Sequence, residues 1–216
     1  MKKREIHTIV YDLDGTLIDS APDIQEALNV VMTEYHGEKI NLSETKGLIG
    51  GGVKELLRQG LETTDEKHIE KARLRFMQYY LERFAVHTRL YPGVEDVLTF
   101  FKSKNQVLLT NKPIEITVKI IKALHIERFF DLVIGAGSTP YVKPAPELVN
   151  EIWKILPTPA NKTVVVGDGE TDIQLGHRAH IMTVAVNYGY RTAQQLEKEC
   201  PNIIIDNLSD LIKYIE

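Results

Sequence analysis

The sequence of 216 residues predicts an α/β fold, a Rossmann-like doubly wound parallel sheet interrupted after its first strand by an all-helical cap domain. Three observations predict it. From Tyr91 onward, short β-branched runs alternate with helical periodicity, the pattern of a parallel sheet covered on both faces. Residues 18 to 90 read as helical throughout. The apolar run Ile9-Val10-Tyr11 near the N-terminus reads as a buried strand, and alone it could not cover its own faces. The core domain is therefore expected over 1–17 and 91–216, with the cap inserted at 18–90.

The elements follow in order. After the first strand, Ser20-Ala21-Pro22-Asp23 is a helix start signal, and Ile24, Leu28, Val31 and Met32 fall at helical spacing. Gly47 to Gly52 interrupts this texture before Val53-Lys54-Glu55-Leu56-Leu57 resumes it. Asp65 to Phe84 is a charged amphipathic stretch with Ile69, Ala72, Phe76 and Tyr80 on one face, so Tyr79-Tyr80 reads as cap core. Helices are expected over Val94–Lys102, Glu115–Leu124, Pro146–Leu156, Thr171–Ala179 and Leu208–Ile215. Strands are expected at Val107–Thr110, Leu132–Ile134, Thr163–Val166, Thr183–Val186 and Ile203–Ile205.

Composition narrows the function. With 26 basic and 30 acidic residues the net charge is −4, which provides neither a footprint for nucleic acid nor a polybasic patch for a membrane. A hydrophobic share of 43% supports a full core. The single Cys200 excludes an internal disulfide and a multi-cysteine zinc site, and fits a reducing, cytoplasmic location. Met1-Lys2-Lys3-Arg4 looks like the start of a signal peptide, but the apolar stretch after it is too short and carries His7 and two aspartates.

The chemistry gathers where strands end. In Asp12-Leu13-Asp14-Gly15-Thr16, residues i and i+2 of a strand point to one side, so Asp12 and Asp14 converge while Gly15 lets the chain turn away. Two ionised carboxylates there repel and resist desolvation, which calls for a bound cation, a shared proton or both. Thr110-Asn111-Lys112, Lys143-Pro144 and Gly167-Asp168-Gly169-Glu170-Thr171-Asp172 fall at the same sheet edge, where open α/β sheets bind ligands. Singly, each has a plain reading: a helix cap, a solvated lysine, a turn.

Together, in this order and with a helical block after the first of them, these segments resemble the haloacid dehalogenase superfamily of phosphohydrolases. The resemblance spans the whole chain and is closest to the phosphoglycolate phosphatase-like members with a type 1 cap. It implies a magnesium-dependent phosphatase that hydrolyses a small phosphate monoester through an aspartyl-phosphate, with 2-phosphoglycolate the leading substrate. Asp12 is then the nucleophile and Asp14 the general acid and base. Thr110, Asn111 and Lys143 bind the phosphoryl group, Lys143 as a point charge. The Mg2+ ligands are the Asp12 side chain, the Asp14 backbone carbonyl and Asp168, with Asp172 acting through water or by orienting Lys143. The cap loop residues Lys46, Gly50, Gly51 and Lys54 are expected to meet the leaving group, against a plain reading as a flexible turn with solvated lysines. The partner is a small phosphorylated metabolite, and the chain is a monomer or homodimer.

Other signatures fail. The glycines of 47–52 have P-loop spacing, but Val53 stands in the lysine position. Gly135 and Gly137 lack the third glycine of a dinucleotide fingerprint, and His177 with His180 lacks a third metal ligand. Rival readings are a sugar phosphomutase or a nucleotide or pyrophosphate phosphatase of the same superfamily. From another class come a signalling receiver and a catalytically silent phosphate-binding module. A receiver carries its aspartate on a middle strand and has no helical insertion.

Overall fold

The computed structural model describes residues 3–35 and 38–216. The first strand, β1 (Thr8–Tyr11), is followed by a short strand β2 (Ile18–Asp19) and four helices, α1 (Ala21–Tyr35), α2 (Leu42–Leu48), α3 (Val53–Gly60) and α4 (Glu66–Arg83). The chain returns through β3 (Arg89–Leu90) and continues as α5 (Val94–Phe100), β4 (Asn105–Pro113), α6 (Ile114–Ala123), β5 (Leu132–Ala136) and α7 (Glu147–Ile155). It ends with β6 (Thr163–Gly167), α8 (Glu170–Ala179), β7 (Met182–Val186), α9 (Ala193–Lys198) and β8 (Ile203–Ile205).

Six strands form one parallel sheet in the order β5-β4-β1-β6-β7-β8, with β1 paired to β4 on one side and to β6 on the other. The chain winds outward from β1 in both directions, so the carboxyl end of β1 opens at a topological switch point. Tyr11 lies level with Leu108 and with Val166, and the amide of Asp12 donates to the carbonyl of Val166 at 2.9 Å. The residues that follow on all three strands therefore emerge at one edge.

The β-branched residues serve both faces by alternation. Ile9, Tyr11, Leu108, Val164 and Val166 pack on one side with Val97, Leu98 and Ile120 of α5 and α6. Val10, Val107, Leu109 and Val165 pack on the other with Leu148, Val149 and Ile152 of α7 and Leu175 of α8. Each fully buried side chain of this size contributes about 1.5–3 kcal/mol, so the sheet is held from two directions.

The helical cap belongs to the larger of these clusters. Ile24, Leu28 and Val31 of α1 meet Ala72, Phe76 and Tyr80 of α4 in one buried group with the sheet residues. Its two ends, expected to be helical, pair instead as an antiparallel ribbon, Ile18 with Leu90 and Asp19 with Arg89. The return is fixed by Asp23 in the first turn of α1. Its buried carboxylate accepts from the backbone amides of His87 at 2.9 Å and Thr88 at 2.8 Å, and from the Thr88 hydroxyl at 2.6 Å.

One further expectation changes. Leu208–Ile215 is a 3-10 turn over Leu208–Lys213, because the chain then extends to pair with the N-terminal segment, the Ile6 amide donating to Glu216 and the Glu216 amide to Arg4. Helix α9 escaped the sequence pattern, although Thr192 and Gln195 form a capping box that marks its start. Among the described residues no helix is long and apolar enough to cross a membrane.

Replacing Asp23 with Ala leaves the buried amide and hydroxyl of Thr88 and the part-buried amide of His87 without their acceptor, and we expect a loss of about 2–4 kcal/mol in stability by urea denaturation, with a smaller loss for Asp23→Asn. A midpoint unchanged in Asp23→Ala would show that the ribbon alone secures the return.

Candidate active site

Four carboxylates and two ammonium groups are buried together at the carboxyl edge of the sheet: Asp12, Asp14, Asp168, Asp172, Lys112 and Lys143. The loop after β1 is wound tightly, with the Leu17 amide donating to the Leu13 carbonyl at 2.9 Å and the Gly15 amide to the Ile18 carbonyl at 2.9 Å. Gly15 sits at φ +83°, and any Cβ there would press into the Asp168 carboxylate. The glycine thus allows the first and last acidic segments to touch. A Cβ at Gly167 would likewise collide with Asp172.

Each acidic group has distinct partners. The Lys143 ammonium lies 2.7 Å from Asp12 Oδ1 and 2.7 Å from Asp172 Oδ1, bridging the two. Asp172 Oδ2 accepts from the Gly169 amide at 3.2 Å. Asp168 accepts from the Thr16 hydroxyl at 3.0 Å and from the Tyr190 amide at 2.8 Å. Asp14 receives the Lys112 ammonium at 2.9 and 3.1 Å and the hydroxyl of Ser20. Ser20, expected as part of a helix start, thus spends its side chain on Asp14. The Tyr190 hydroxyl takes over at the helix, accepting from the amides of Ser20 at 2.9 Å and Ala21 at 3.0 Å.

The lysines are pinned from their own side. Asn111 accepts from the Lys143 amide at 2.8 Å and donates to the Lys143 carbonyl at 3.0 Å, tying the loop before α7 to the end of β4. Thr110 accepts from the Lys112 amide at 3.1 Å. Burial alone would lower both ammonium groups, but Asp14 beside Lys112, and Asp12 and Asp172 beside Lys143, hold them protonated well above neutrality. Burial pushes the Asp12 carboxyl up, opposed by Lys143 and reinforced by Asp172 and Asp168. Burial raises Asp168 to about 7, against the hydrogen bond from the Tyr190 amide.

These features fit a divalent cation. Carboxylate oxygens of Asp12, Asp168 and Asp172 lie within 4.8 Å of one another. Although Lys143 is close to Asp12 Oδ1, no donor is directed at that oxygen with hydrogen-bonding geometry. Four carboxylates against two ammonium groups leave two negative charges uncompensated in a buried place, and an all-oxygen donor set suits a hard cation.

The cap closes over this edge. A cavity of about 40 Å³ lies between Asp12, Asp14 and the Thr110–Pro113 run on one side and Ile24, Ile49, Val53, Leu56, Phe76 and Tyr80 on the other. The Asn111 side chain donates from Nδ2 to the Gly50 carbonyl at 2.9 Å. Arg191, after β7, donates to the carbonyls of Lys46 at 3.0 Å and Ile49 at 2.8 Å while its Nε faces Glu170 at 2.9 Å. Of the expected cap residues, Gly50 lines the cavity and Gly51 does not. The Lys46 ammonium turns to Asp19 at 3.9 Å and to the Tyr190 ring, and Lys54 turns to Glu70 at 3.5 Å, so neither charge reaches the cavity.

Sequence reasoning gave Lys112, Ser20, Tyr190 and Arg191 no individual role in the site, although Lys112 stood in the Thr110-Asn111-Lys112 run and Ser20 in the helix start. Lys112 was within reach, since it stands two residues beyond Thr110 on a strand, where side chains share a face. The others carry no local signal, because their partners lie elsewhere in the chain or are backbone groups.

Comparison with known proteins places the chain. The sequence profile of the family described as Haloacid dehalogenase-like hydrolase matches residues 9–186. A relative named Phosphoglycolate phosphatase from Aquifex aeolicus (strain VF5) is 35% identical over 214 residues, covering 98% of this chain and 97% of that protein. Another of that name, from Pseudomonas syringae pv. tomato, is 32% identical over 212 residues, 94% of this chain and 78% of its own. A solved structure described as a predicted phosphoglycolate phosphatase from Haemophilus somnus superposes with a TM-score of 0.90 at 26% identity, over 99% of this chain and 98% of that one. The match of the family profile over most of the chain, the parallel sheet with its helical insertion and the acidic cluster at the switch point agree, and the chain belongs to the haloacid dehalogenase-like hydrolases.

Proposed function

We propose that this protein is a magnesium-dependent phosphatase that transfers the phosphoryl group of a small monoester to Asp12 and then to water, with 2-phosphoglycolate as the leading substrate. The observation that carries this reading is the buried Asp12 carboxylate, 2.7 Å from the Lys143 ammonium, clustered with Asp168 and Asp172 and two residues before Asp14. Relatives named Phosphoglycolate phosphatase support the choice of substrate.

The residues divide the work by chemistry. Asp12 attacks phosphorus, so that one difficult displacement becomes two easier ones through an aspartyl-phosphate. Asp14 gives a proton to the leaving oxygen and later takes one from the attacking water. Lys143 holds positive charge against the phosphoryl oxygens and keeps Asp12 and Asp172 apart from each other's field. The Thr110 hydroxyl and the Asn111 backbone N–H would bind the same oxygens from the end of β4, just ahead of the N-terminus of α6, where backbone donors favour anions. The Asp12 and Asp168 carboxylates and the Asp14 carbonyl would hold Mg2+, with Asp172 reaching it through water or by way of Lys143. When bound, the ion supplies the positive charge that lets an anionic nucleophile approach a phosphate dianion. The cap, fastened through Arg191 and Asn111, keeps bulk water out during transfer.

Two outcomes are expected. Phosphate release from 2-phosphoglycolate should require added magnesium and stop with chelator, and Asp12→Asn should lower it by several orders of magnitude without changing the circular dichroism spectrum. Turnover near that of the wild type in Asp12→Asn would remove the nucleophile from the scheme.

The second concerns pH. Because Asp168 is raised in the folded state to about 7, the metal-free protein binds more protons than the unfolded chain between the ordinary carboxylate range and pH 7. Its contribution to stability therefore falls as pH rises through that window, and bound metal, which needs the deprotonated carboxylates, relieves the loss. The gain in melting temperature on adding magnesium should be larger at pH 8 than at pH 5.5 by scanning fluorimetry. An equal or smaller gain at pH 8 would contradict the assignment of Asp168 to the ion.

A further inference from the structure

The cap side of the cavity is apolar except at one place. There Tyr80 of α4 meets Lys112 at the end of β4, with the ammonium 4.8 Å from the ring centroid. The Tyr80 hydroxyl is buried and has no hydrogen-bond partner of acceptable geometry, even though the Lys112 ammonium and the Asp14 carboxylate are near enough to act on it. Burying a hydroxyl unsatisfied costs about 1–3 kcal/mol, and buried tyrosines ordinarily find a partner. Phenylalanine would fill this space without that cost, so the hydroxyl calls for a partner that arrives with a ligand.

Lys112 lies against that hydroxyl and keeps donor capacity of its own. An ammonium group has three N–H donors, and the two oxygens of Asp14 occupy at most two of them. Among the described residues lining the cavity it is the one cation, since Lys46 and Lys54 are drawn to Asp19 and Glu70. Its neighbour Asp14 is the group that faces the ester oxygen in the mechanism above. An acceptor bound by the remaining N–H of Lys112 would therefore lie on the leaving-group side of the site, beside Asp14.

We propose that Tyr80 and Lys112 form the subsite that reads the leaving group, taking a carboxylate attached to the carbon that bears the phosphate ester. This rests on the phosphatase reading and deepens it: the substrate class is a short phosphorylated 2-hydroxy acid. A cation beside a hydroxyl favours an anionic end over a neutral hydroxymethyl of the same length. The cap walls around this pair, Ile24, Ile49 and Phe76, are apolar.

The test compares 2-phosphoglycolate with 2-hydroxyethyl phosphate, equal in length but neutral at the far end, in wild type, Tyr80→Phe and Lys112→Met. The ratio of kcat/KM for the two substrates should favour the carboxylate at least tenfold in the wild type and fall by about tenfold in each variant. A purely structural role would lower both substrates together and leave the ratio fixed, and a ratio unmoved in either variant overturns the pairing. The same ratio, read as calorimetric affinities with magnesium in the Asp12→Asn background, judges the subsite without turnover. Absence of phosphate release from any monoester by the wild type would count against the phosphatase reading alone, and an unchanged affinity ratio against the subsite alone.

Discussion

Four carboxylates buried at one sheet edge against only two ammonium groups is the constraint around which the rest of this molecule is arranged. Isolated carboxylates at such a depth would take up protons. The protein limits this by giving each one a distinct partner: Lys143 between Asp12 and Asp172, Lys112 on Asp14, and the Thr16 hydroxyl with the Tyr190 amide on Asp168. The remaining imbalance is the chemical demand for a cation. The site is thus held in a state of incomplete compensation by a scaffold that is rigid on both faces of the sheet.

That rigidity comes from the strand order. Because β1 lies between β4 and β6, its end is flanked on either side by a strand of the same direction, and each delivers its own segment to the edge in register. Asn111 then fixes Lys143 by a reciprocal pair of hydrogen bonds, and the glycines at 15 and 167 let carboxylates approach the backbone where a side chain would block them. Precision arises from main-chain geometry, with the reactive side chains placed last.

What was legible in the sequence follows the same division. Asp12, Asp14, Thr110, Asn111, Asp168 and Asp172 were readable because strand periodicity and the breaking glycines determine where a strand ends and which residues share a side. The parallel sheet followed from β-branched runs alternating with amphipathic helices, a signal local to each segment. The Tyr190 hydroxyl at the start of α1 and Arg191 on the cap loop were beyond reach, since they join groups 142 to 170 positions apart. Tyr80 was read as cap core, and it is buried as expected, but helical spacing reports only that a face is covered. It does not distinguish a ring that fills space from a hydroxyl awaiting a partner. The charged loop residues Lys46 and Lys54 show the converse, since an acidic neighbour on the same surface can claim a lysine before a ligand does.

The fastening of the cap loop has an evolutionary consequence. Arg191 and Asn111 hold Lys46, Ile49 and Gly50 by their carbonyl oxygens, atoms that every amino acid carries. Closure therefore does not depend on the side chain of Ile49, which faces the cavity and can be exchanged without loosening the lid, whereas Gly50 and Gly52, at φ +128° and +84°, are held to glycine by the backbone. A lineage can redraw what the enzyme accepts while the chemistry beneath stays sealed.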